Sequence, residues 1–330
     1  MGIWDWFTEN EKLLSGLAAA LVILGAFATV GRNFFLQIII NLGVKPSKNV
    51  TLSDLSAPSP HAIQFANSDG VNIAYTVFGK TAPDLLVTPG IISNIHVSSN
   101  LRPLRETMKA LSNFCRIINF DKRGQGLSDP VATTSSLSER VKDIEAVADS
   151  ANTQKFVLMG ISEGGPMSIK FAVDNPDKVN GLILFGTTPR FSRADDYAIG
   201  ISDQSLDGLA ELWGTAAARE ILFPSITREE IDDETYKGME MLLADKRSMK
   251  QIVEYMKTFD VRELLEQVSC PTLVVHFSGD LAVPARMGRY LANGIPNSEY
   301  LEIAGVDHCD LAQAPDAIKR IKEFVKQYSS

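Results

Sequence analysis

Short apolar runs alternate with amphipathic stretches along most of the chain after residue 60. The runs are bounded by glycine, proline or polar turn residues, which is typical of buried strands. They fall at 61–67, 71–79, 84–88, 115–120, 155–160, 181–186, 271–277 and 298–303. Between several of them, as at 103–113, 166–175 and 284–293, the apolar positions recur with the period of a helix. This alternation predicts an α/β fold in which helices cover a mainly parallel sheet, opened by a hairpin across Ser68-Asp69-Gly70.

The alternation stops between residues 191 and 265, where only helical patterns occur. We therefore predict a helical cap at 191–265, inserted between a first core segment, 61–190, and a second, 266–330. Ser136 to Glu139 and Thr227 to Glu230 both have the S/T-x-x-E spacing of a capping box. Residues 43–60 are rich in proline and serine without periodicity, so they are interpreted as a linker.

The first 42 residues have a different pattern. Residues 13–30, LLSGLAAALVILGAFATV, are uncharged and just long enough to span a bilayer, so we predict a single-pass membrane anchor within 1–42. Two alternatives are a cleaved signal peptide, disfavoured by an acidic leader, and a buried helix, disfavoured because the run is apolar all round. Arg32, Lys45 and Lys48 follow the run and only Lys12 precedes it, which predicts a cytoplasmic catalytic domain by the positive-inside rule.

Composition and charge restrict the partners. Apolar content is 45% over 330 residues, and the net charge of −8 with no basic stripe argues against nucleic acid. The three cysteines are too few and too scattered for a disulfide framework or a metal site, and a reducing compartment is the simpler interpretation. No cofactor is predicted, and the sequence indicates nothing about oligomeric state.

One five-residue match carries the candidate chemistry. Gly160-Ile161-Ser162-Glu163-Gly164 fits G-x-S-x-G, and it lies between an apolar run and a helical pattern. The mechanism needs a strand that enters a tight, strained turn and continues into a helix, with small residues two positions before and after the serine. Ser162 is therefore the predicted nucleophile. Glu163 would supply a backbone N–H to an oxyanion, with its carboxylate solvated or facing the helix cap.

A serine hydroxyl needs a base, and the chain has four histidines. His308 lies in a loop between the last predicted strand and the last helix, where the base of this architecture belongs. His96, after the predicted oxyanion loop, is a candidate pocket residue, and a surface loop position is its alternative. His61 borders the linker and His276 lies within an apolar strand.

An acid should lie between nucleophile and base in chain order. Asp280 directly follows a buried strand and is the predicted acid. Asp195 and Asp196 are competing candidates, and Asp307 is disfavoured because it adjoins the base. A second oxyanion donor is predicted at Ile91, which follows Pro89-Gly90 after the 84–88 strand.

In this order the motifs resemble the α/β-hydrolase superfamily over residues 61–330. The segments IINFDKRGQGLSDP and GISEGGP are similar to the family's esterases and C–C bond hydrolases, and to hydrolase-like modules beside bacterial cyclase domains. The resemblance implies an eight-stranded sheet with the second strand antiparallel. Pro89-Gly90 stands where many relatives have His-Gly, and the tryptophan-bearing elbow of proline iminopeptidases is absent, which disfavours a peptidase.

The function expected from these residues is hydrolysis of a small or medium acyl ester through an acyl-enzyme. Trp213 and other apolar cap residues are expected to line the acyl pocket. Two alternatives stay open: C–C bond or thioester hydrolysis by the same residues, and a membrane-tethered ligand sensor with little turnover.

Overall fold

The computed structural model describes residues 49–329, and a central eight-stranded sheet organises them. Its strands are β1 (Gln64–Ser68), β2 (Val71–Gly79), β3 (Asp84–Thr88), β4 (Arg116–Phe120), β5 (Phe156–Ile161), β6 (Val179–Phe185), β7 (Thr272–Phe277) and β8 (Ser298–Ile303). They lie in the order β1-β2-β4-β3-β5-β6-β7-β8. Only β2 pairs antiparallel with its neighbours, β1 and β4, and the other pairings are parallel. The predicted mainly parallel sheet is confirmed.

Helices cover both faces of the sheet. They are α1 (Leu52–Leu55), α2 (Ile95–Asn100), α3 (Arg102–Ser112), α4 (Leu137–Ser150), α5 (Gly164–Asp174), α6 (Asp203–Leu212), α7 (Arg219–Leu222), α8 (Asp233–Leu243), α9 (Lys246–Thr258), α10 (Ala285–Gly294) and α11 (Pro315–Gln327), with 3₁₀ turns at Arg262–Gln267 and Leu311–Gln313. In β3, Leu86 packs in one apolar cluster while Leu85 and Val87 pack in another. Successive side chains of a strand point to opposite faces, so a strand buried on both faces reads as an unbroken apolar run.

The insertion between β6 and β7 is mostly helical, with two corrections. Residues 192–201 form an irregular turn with isolated bridges instead of a helix. At the second predicted capping box the Glu230 N–H does donate to Thr227 Oγ1 at 3.2 Å, but no helix follows. Helix α8 begins after Asp232, whose carboxylate accepts the Thr235 N–H, because an aspartate at this position caps a helix equally well. The Ser136–Glu139 box does cap α4.

The described part of the predicted linker, residues 49–60, packs against the domain. Thr51 and Asp54 form a capping box at α1, and Leu55 is fully buried. The Val50 N–H donates to the carbonyl of Glu230, which ties this segment to the insertion. A single buried leucine in a polar stretch gives no periodic signal, so the sequence did not reveal this docking.

The predicted anchor, residues 13–30, lies outside the described residues. Among residues 49–329, no helix is both long and apolar enough to cross a bilayer.

Candidate active site

The sheet brings four loops together. Ser162 follows β5, Asp280 follows β7 and His308 follows β8, while the Pro89-Gly90-Ile91 loop follows β3. All four strands are parallel, so the residues after them meet at the carboxyl edge of the sheet.

Ser162 lies in a strained turn between β5 and α5. Its φ is 51°, in the left-handed region that a residue with a side chain rarely adopts. A Cβ on Gly160 would approach Ser168 Oγ to 2.6 Å, and one on Gly164 would lie 2.5 Å from the Pro89 carbonyl oxygen. The two glycines are therefore required by close approach across the turn.

A continuous hydrogen-bonded chain links the serine to the predicted base and acid. Ser162 Oγ lies 2.8 Å from His308 Nε2, and His308 Nδ1 lies 2.7 Å from Asp280 Oδ2. The other Asp280 oxygen accepts the N–H groups of Ala282 at 2.8 Å and Val283 at 3.0 Å. The carboxylate is therefore held in place by its own turn while it orients the imidazole.

Two opposing effects act on the histidine. Burial is the largest single effect and lowers the pKa of His308, but the charge of Asp280, the neighbouring Cys309 and the hydrogen bond to Asp280 together outweigh it and raise that pKa well above the ordinary histidine value. The pair thus stabilises the imidazolium that forms when a histidine takes a proton from serine.

The competing acids lie elsewhere. Asp196 is exposed and pairs with Arg262 at 3.0 Å, and Asp195 is also exposed. Asp307 accepts the N–H groups of Cys309 and Asp310, both at 2.9 Å, so its carboxylate faces its own loop. Among the predicted acids, Asp280 alone is within hydrogen-bond distance of His308 in the described chain.

The loops that carry the two predicted oxyanion donors lie beside Ser162. A Cβ on Gly90 would lie 3.8 Å from Ser162 Oγ, which places the loop bearing Ile91 next to that hydroxyl. Across residues 49–329, neither the Ile91 N–H nor the Glu163 N–H donates to another protein group. Both amides are thus free to bind an oxygen.

The Glu163 side chain differs from expectation. It is neither solvated nor cap-facing: it is buried, with a short hydrogen bond from Lys122 Nζ, and Arg140 Nη1 donates to its other oxygen at 3.3 Å. Lys122 also donates to the carbonyls of Gly90 at 2.5 Å and Ile91 at 3.3 Å. The buried lysine therefore joins the two loops that hold the predicted oxyanion donors.

Sequence reasoning missed Lys122. Its only signal is its position two residues after the end of the buried β4, at the carboxyl edge of the sheet, where polar residues often serve a site. Burial lowers the pKa of Lys122 to about 8, although the charge of Glu163 opposes that shift.

Two cavities extend from Ser162 and His308 in different directions. The first has a volume of about 100 Å³ and almost wholly apolar walls, including Leu104, Met108 and the predicted pocket residue Trp213. Trp213 is buried, and its indole N–H donates to the carbonyls of Glu240 and Ala244. We call this cavity the apolar arm. The second, of about 310 Å³, carries more polar groups on its walls and is called the arginine arm because Arg193 and Arg286 line it.

His96 lines neither arm. It lies in the first turn of α2, where its Nδ1 accepts the Ser59 N–H at 3.0 Å. The helix instead directs Val97 and Leu101 toward the apolar arm, since residues four apart share a face.

The insertion is bonded to the loop that carries His308. The Ser225 N–H donates to Asp307 at 3.1 Å, and Ser225 Oγ lies 3.3 Å from Asp310. Arg102 bridges the same elements, with 2.9 Å contacts to the Asp310 carboxylate and the Ser225 carbonyl.

Comparison with known proteins places this chain in a family. The model of a family described as "serine aminopeptidase, S33" matches residues 109–310, more than half of the chain. The chain belongs to this family of the α/β-hydrolase superfamily. The resemblance to the α/β-hydrolase superfamily that the motifs indicated is thereby confirmed. This α/β-hydrolase is an enzyme.

Individual relatives are distant. RutD of Agrobacterium fabrum, provisionally named a carbamate hydrolase, is 26% identical to this chain over 262 residues. The match covers 76% of this chain and 97% of that protein. The karrikin insensitive 2 receptor IA of Petunia hybrida is 23% identical and covers 61% of this chain and 77% of its own. The esterase EaEST from Exiguobacterium antarcticum has a TM-score of 0.67 at 22% identity, over 81% of this chain and 98% of that one. At that identity the structural likeness shows the fold.

Proposed function

We propose that this α/β-hydrolase is a serine hydrolase that cleaves small or medium acyl esters through an acyl-enzyme on Ser162. The observation that carries the proposal is the unbroken chain from Ser162 Oγ through His308 to Asp280, with contacts of 2.8 and 2.7 Å. A buried polar chain of this kind, ending on a strained serine, matches the geometry that activates a serine for acyl transfer.

In this mechanism Ser162 Oγ attacks the substrate carbonyl while His308 Nε2 accepts its proton. The N–H groups of Ile91 and Glu163 stabilise the resulting oxyanion, and Asp280 stabilises the imidazolium. His308 then returns the proton to the departing alcohol, which leaves an acyl-Ser162 ester. Water, deprotonated by His308, releases the acid and restores the serine.

The walls of the apolar arm support the acyl specificity. Leu104, Met108 and Trp213 offer a narrow apolar slot beside the nucleophile, which suits a short hydrocarbon chain. Thioesters and C–C bonds flanked by a ketone would use the same three polar residues, so they remain alternatives within this proposal.

A fluorophosphonate label tests the nucleophile. We expect labelling of the folded protein at Ser162, loss of labelling in Ser162→Ala, and unchanged labelling in the exposed control Ser53→Ala. A panel of p-nitrophenyl esters of increasing chain length, a thioester and an aminoacyl p-nitroanilide then distinguishes the substrate classes, including the peptidase activity that the family description names. Absence of labelling at Ser162 would contradict the proposal.

A second candidate is a ligand sensor with little turnover. It is favoured by one observation: a relative at 23% identity is named a receptor. Isothermal titration with Ser162→Ala and kinetics with the unchanged protein separate the two, since a sensor binds its ligand with slow or no release of product.

We further propose that residues 13–30 anchor the protein in a membrane with the hydrolase domain on the cytoplasmic side. The support is the uncharged apolar run and the three cations that follow it. Sodium carbonate extraction should leave the unchanged protein in the membrane pellet and release a variant that lacks residues 1–42. Release of both would contradict an anchor.

A further inference from the structure

The arginine arm begins at the reacting atoms and ends at two exposed cations. Ser162 and His308 form its inner wall, and Arg193 and Arg286 stand at its mouth. The arm is therefore continuous with the site proposed above, and a substrate group placed in it would be covalently connected to the reacting carbonyl.

The two guanidinium groups are anchored by adjacent residues of one turn. Arg286 Nε donates to the Ile199 carbonyl at 3.0 Å, and Arg193 Nε is 3.4 Å from the Gly200 carbonyl. These bonds use only one N–H of each group, so the Nη donors stay available.

Neither cation has a carboxylate partner among residues 49–329, whereas nearby arginines do. Arg190 and Arg262 both pair with Asp260, at 2.9 and 2.7 Å. Two like charges that line one cavity repel each other, and an anion between them would relieve that repulsion. Arginine is also the side chain best suited to bidentate binding of a carboxylate or phosphate.

Two helix N-termini border the arginine arm. Ser202 and Ser205, at the start of the ten-residue α6, line the arm, as do Pro284 and Arg286 at the start of α10. No side chain caps α10. The positive ends of both helix dipoles therefore add to the field of the arginines.

Two acidic side chains near Arg193 do not line this arm. Asp195 and Asp203 lie in a separate surface hollow that also borders Arg193. Asp203 accepts a short hydrogen bond from the Ser192 hydroxyl. The walls of the arm itself contain no carboxylate within the described chain.

We propose that the arginine arm binds an anionic group, a carboxylate or phosphate, on the alcohol side of the substrate. The proposal rests on the proposed function and narrows it to acyl esters whose alcohol carries a negative charge. The apolar arm holds the acyl chain, so the anionic alcohol occupies the wider arm and departs through it. It leaves with the proton from His308, and water supplies the hydroxyl that later releases the acid, so the overall reaction is ester plus water to acid plus alcohol.

A matched pair of substrates tests this assignment. Butanoyloxyacetate carries a carboxylate on its alcohol side, and butanoyloxyacetamide is its neutral counterpart of nearly equal shape. We expect kcat/KM for the anionic ester to exceed that for the amide by roughly tenfold at low salt and to fall toward it in 0.5 M salt, because exposed charges are screened. The Arg193→Gln and Arg286→Gln variants should each lose most of this preference through a lower kcat/KM for the anionic ester.

Arg247→Gln is the matched control. Arg247 is also an exposed arginine of the insertion, but it lines a groove that contains neither Ser162 nor His308. Its substitution should leave both kcat/KM values unchanged. A preference lost equally in Arg247→Gln would indicate a general effect of net charge and would overturn the assignment.

Binding to Ser162→Ala, measured by calorimetry, separates the two proposals. Equal hydrolysis of both esters, unaffected by the arginine variants, would overturn the anionic subsite while leaving the hydrolase intact. Hydrolysis of neither ester, with arginine-dependent binding of butanoyloxyacetate to Ser162→Ala, would support the subsite and count against the hydrolase.

Discussion

Replacing Glu163 by glutamine keeps the shape of the residue after Ser162 and removes its charge. In the structure that charge faces Lys122 and Arg140, and the side chains of Lys122 and Glu163 are completely buried. In the variant, two buried cations face a neutral amide instead of a carboxylate. Removing one partner of a buried ion pair in this way lowers the stability of the fold, because the remaining charge is left uncompensated.

The magnitude follows from what each cation can do. Lys122 can lose its proton: with a pKa of about 8, neutralising it at pH 7 costs about 1 kcal/mol. Arg140 stays charged, and leaving it with a weaker acceptor costs about 1–3 kcal/mol. We therefore expect Glu163→Gln to lower the free energy of unfolding by roughly 2–4 kcal/mol at pH 7.

The pH dependence has a definite sign. Because the charge of Glu163 raises the pKa of Lys122, its removal should lower that pKa further below 8. Between pH 6 and 8 we therefore expect the folded variant to bind up to one proton fewer than the folded unchanged protein, while the unfolded chains both keep Lys122 protonated. Stability rises with pH where the unfolded state binds more protons, so the variant recovers relative to the unchanged protein by about 1 kcal/mol per pH unit between pH 6 and 8. Above pH 8 the folded unchanged protein loses the same proton and the difference becomes constant.

Urea denaturation at pH 6, 7 and 8 measures this difference, and the rate of fluorophosphonate labelling measures the site. We expect labelling to slow at least tenfold, because Lys122 no longer holds both loops of the oxyanion donors. Glu145→Gln is the control: Glu145 pairs with Lys178 at 2.8 Å with its side chain 47% exposed, so its loss should cost under about 1 kcal/mol. If the two variants lose equal stability, or if the Glu163→Gln deficit is the same at all three pH values, the reasoning is wrong.

Two further substitutions probe the site. Asp280→Asn should reduce kcat about 10⁴-fold. It should also move the acid limb of the kcat/KM profile to lower pH, because the variant lacks the Asp280 charge that raises the pKa of His308. An acid limb at unchanged pH would contradict this. Gly164→Ala should destabilise the fold by about 1–3 kcal/mol and slow labelling, because the new Cβ meets the carbonyl oxygens of Thr88 and Pro89. A Cβ added at Gly208 would meet no neighbouring atom within 4 Å, so Gly208→Ala should stabilise α6 by about 1 kcal/mol. Equal changes in melting temperature in the Gly164 and Gly208 variants would refute the steric argument.

The features predicted well from sequence are those with a local cause. The strands at 71–79, 84–88 and 298–303 have the bounds that the apolar runs suggested, because burial or alternation marks every residue of such a strand. The turn around Ser162 could also be predicted from the sequence, since a tight turn requires glycine at fixed spacing. His308 and Asp280 followed from chain order and from their positions after strands.

The features that sequence did not reveal depend on distant residues. Lys122 and Glu163 are 41 positions apart, and nothing near either one marks it as buried. The docking of Leu55 and the position of His96 depend on where residues 49–60 cross the insertion. The turn at Thr227 shows a second limit of prediction from sequence. A capping-box motif predicts a local hydrogen bond, but the residues that follow it decide whether a helix forms.

The bonds between Ser225 and the histidine loop have a mechanical consequence. Asp307 and Asp310 lie on either side of His308 and Cys309, and both accept hydrogen bonds from one residue of the insertion. The insertion therefore holds the loop that carries His308 in place, and it also lines both cavities. A displacement of residue 225 would break both hydrogen bonds, so the position of the insertion and the position of His308 are coupled through one residue.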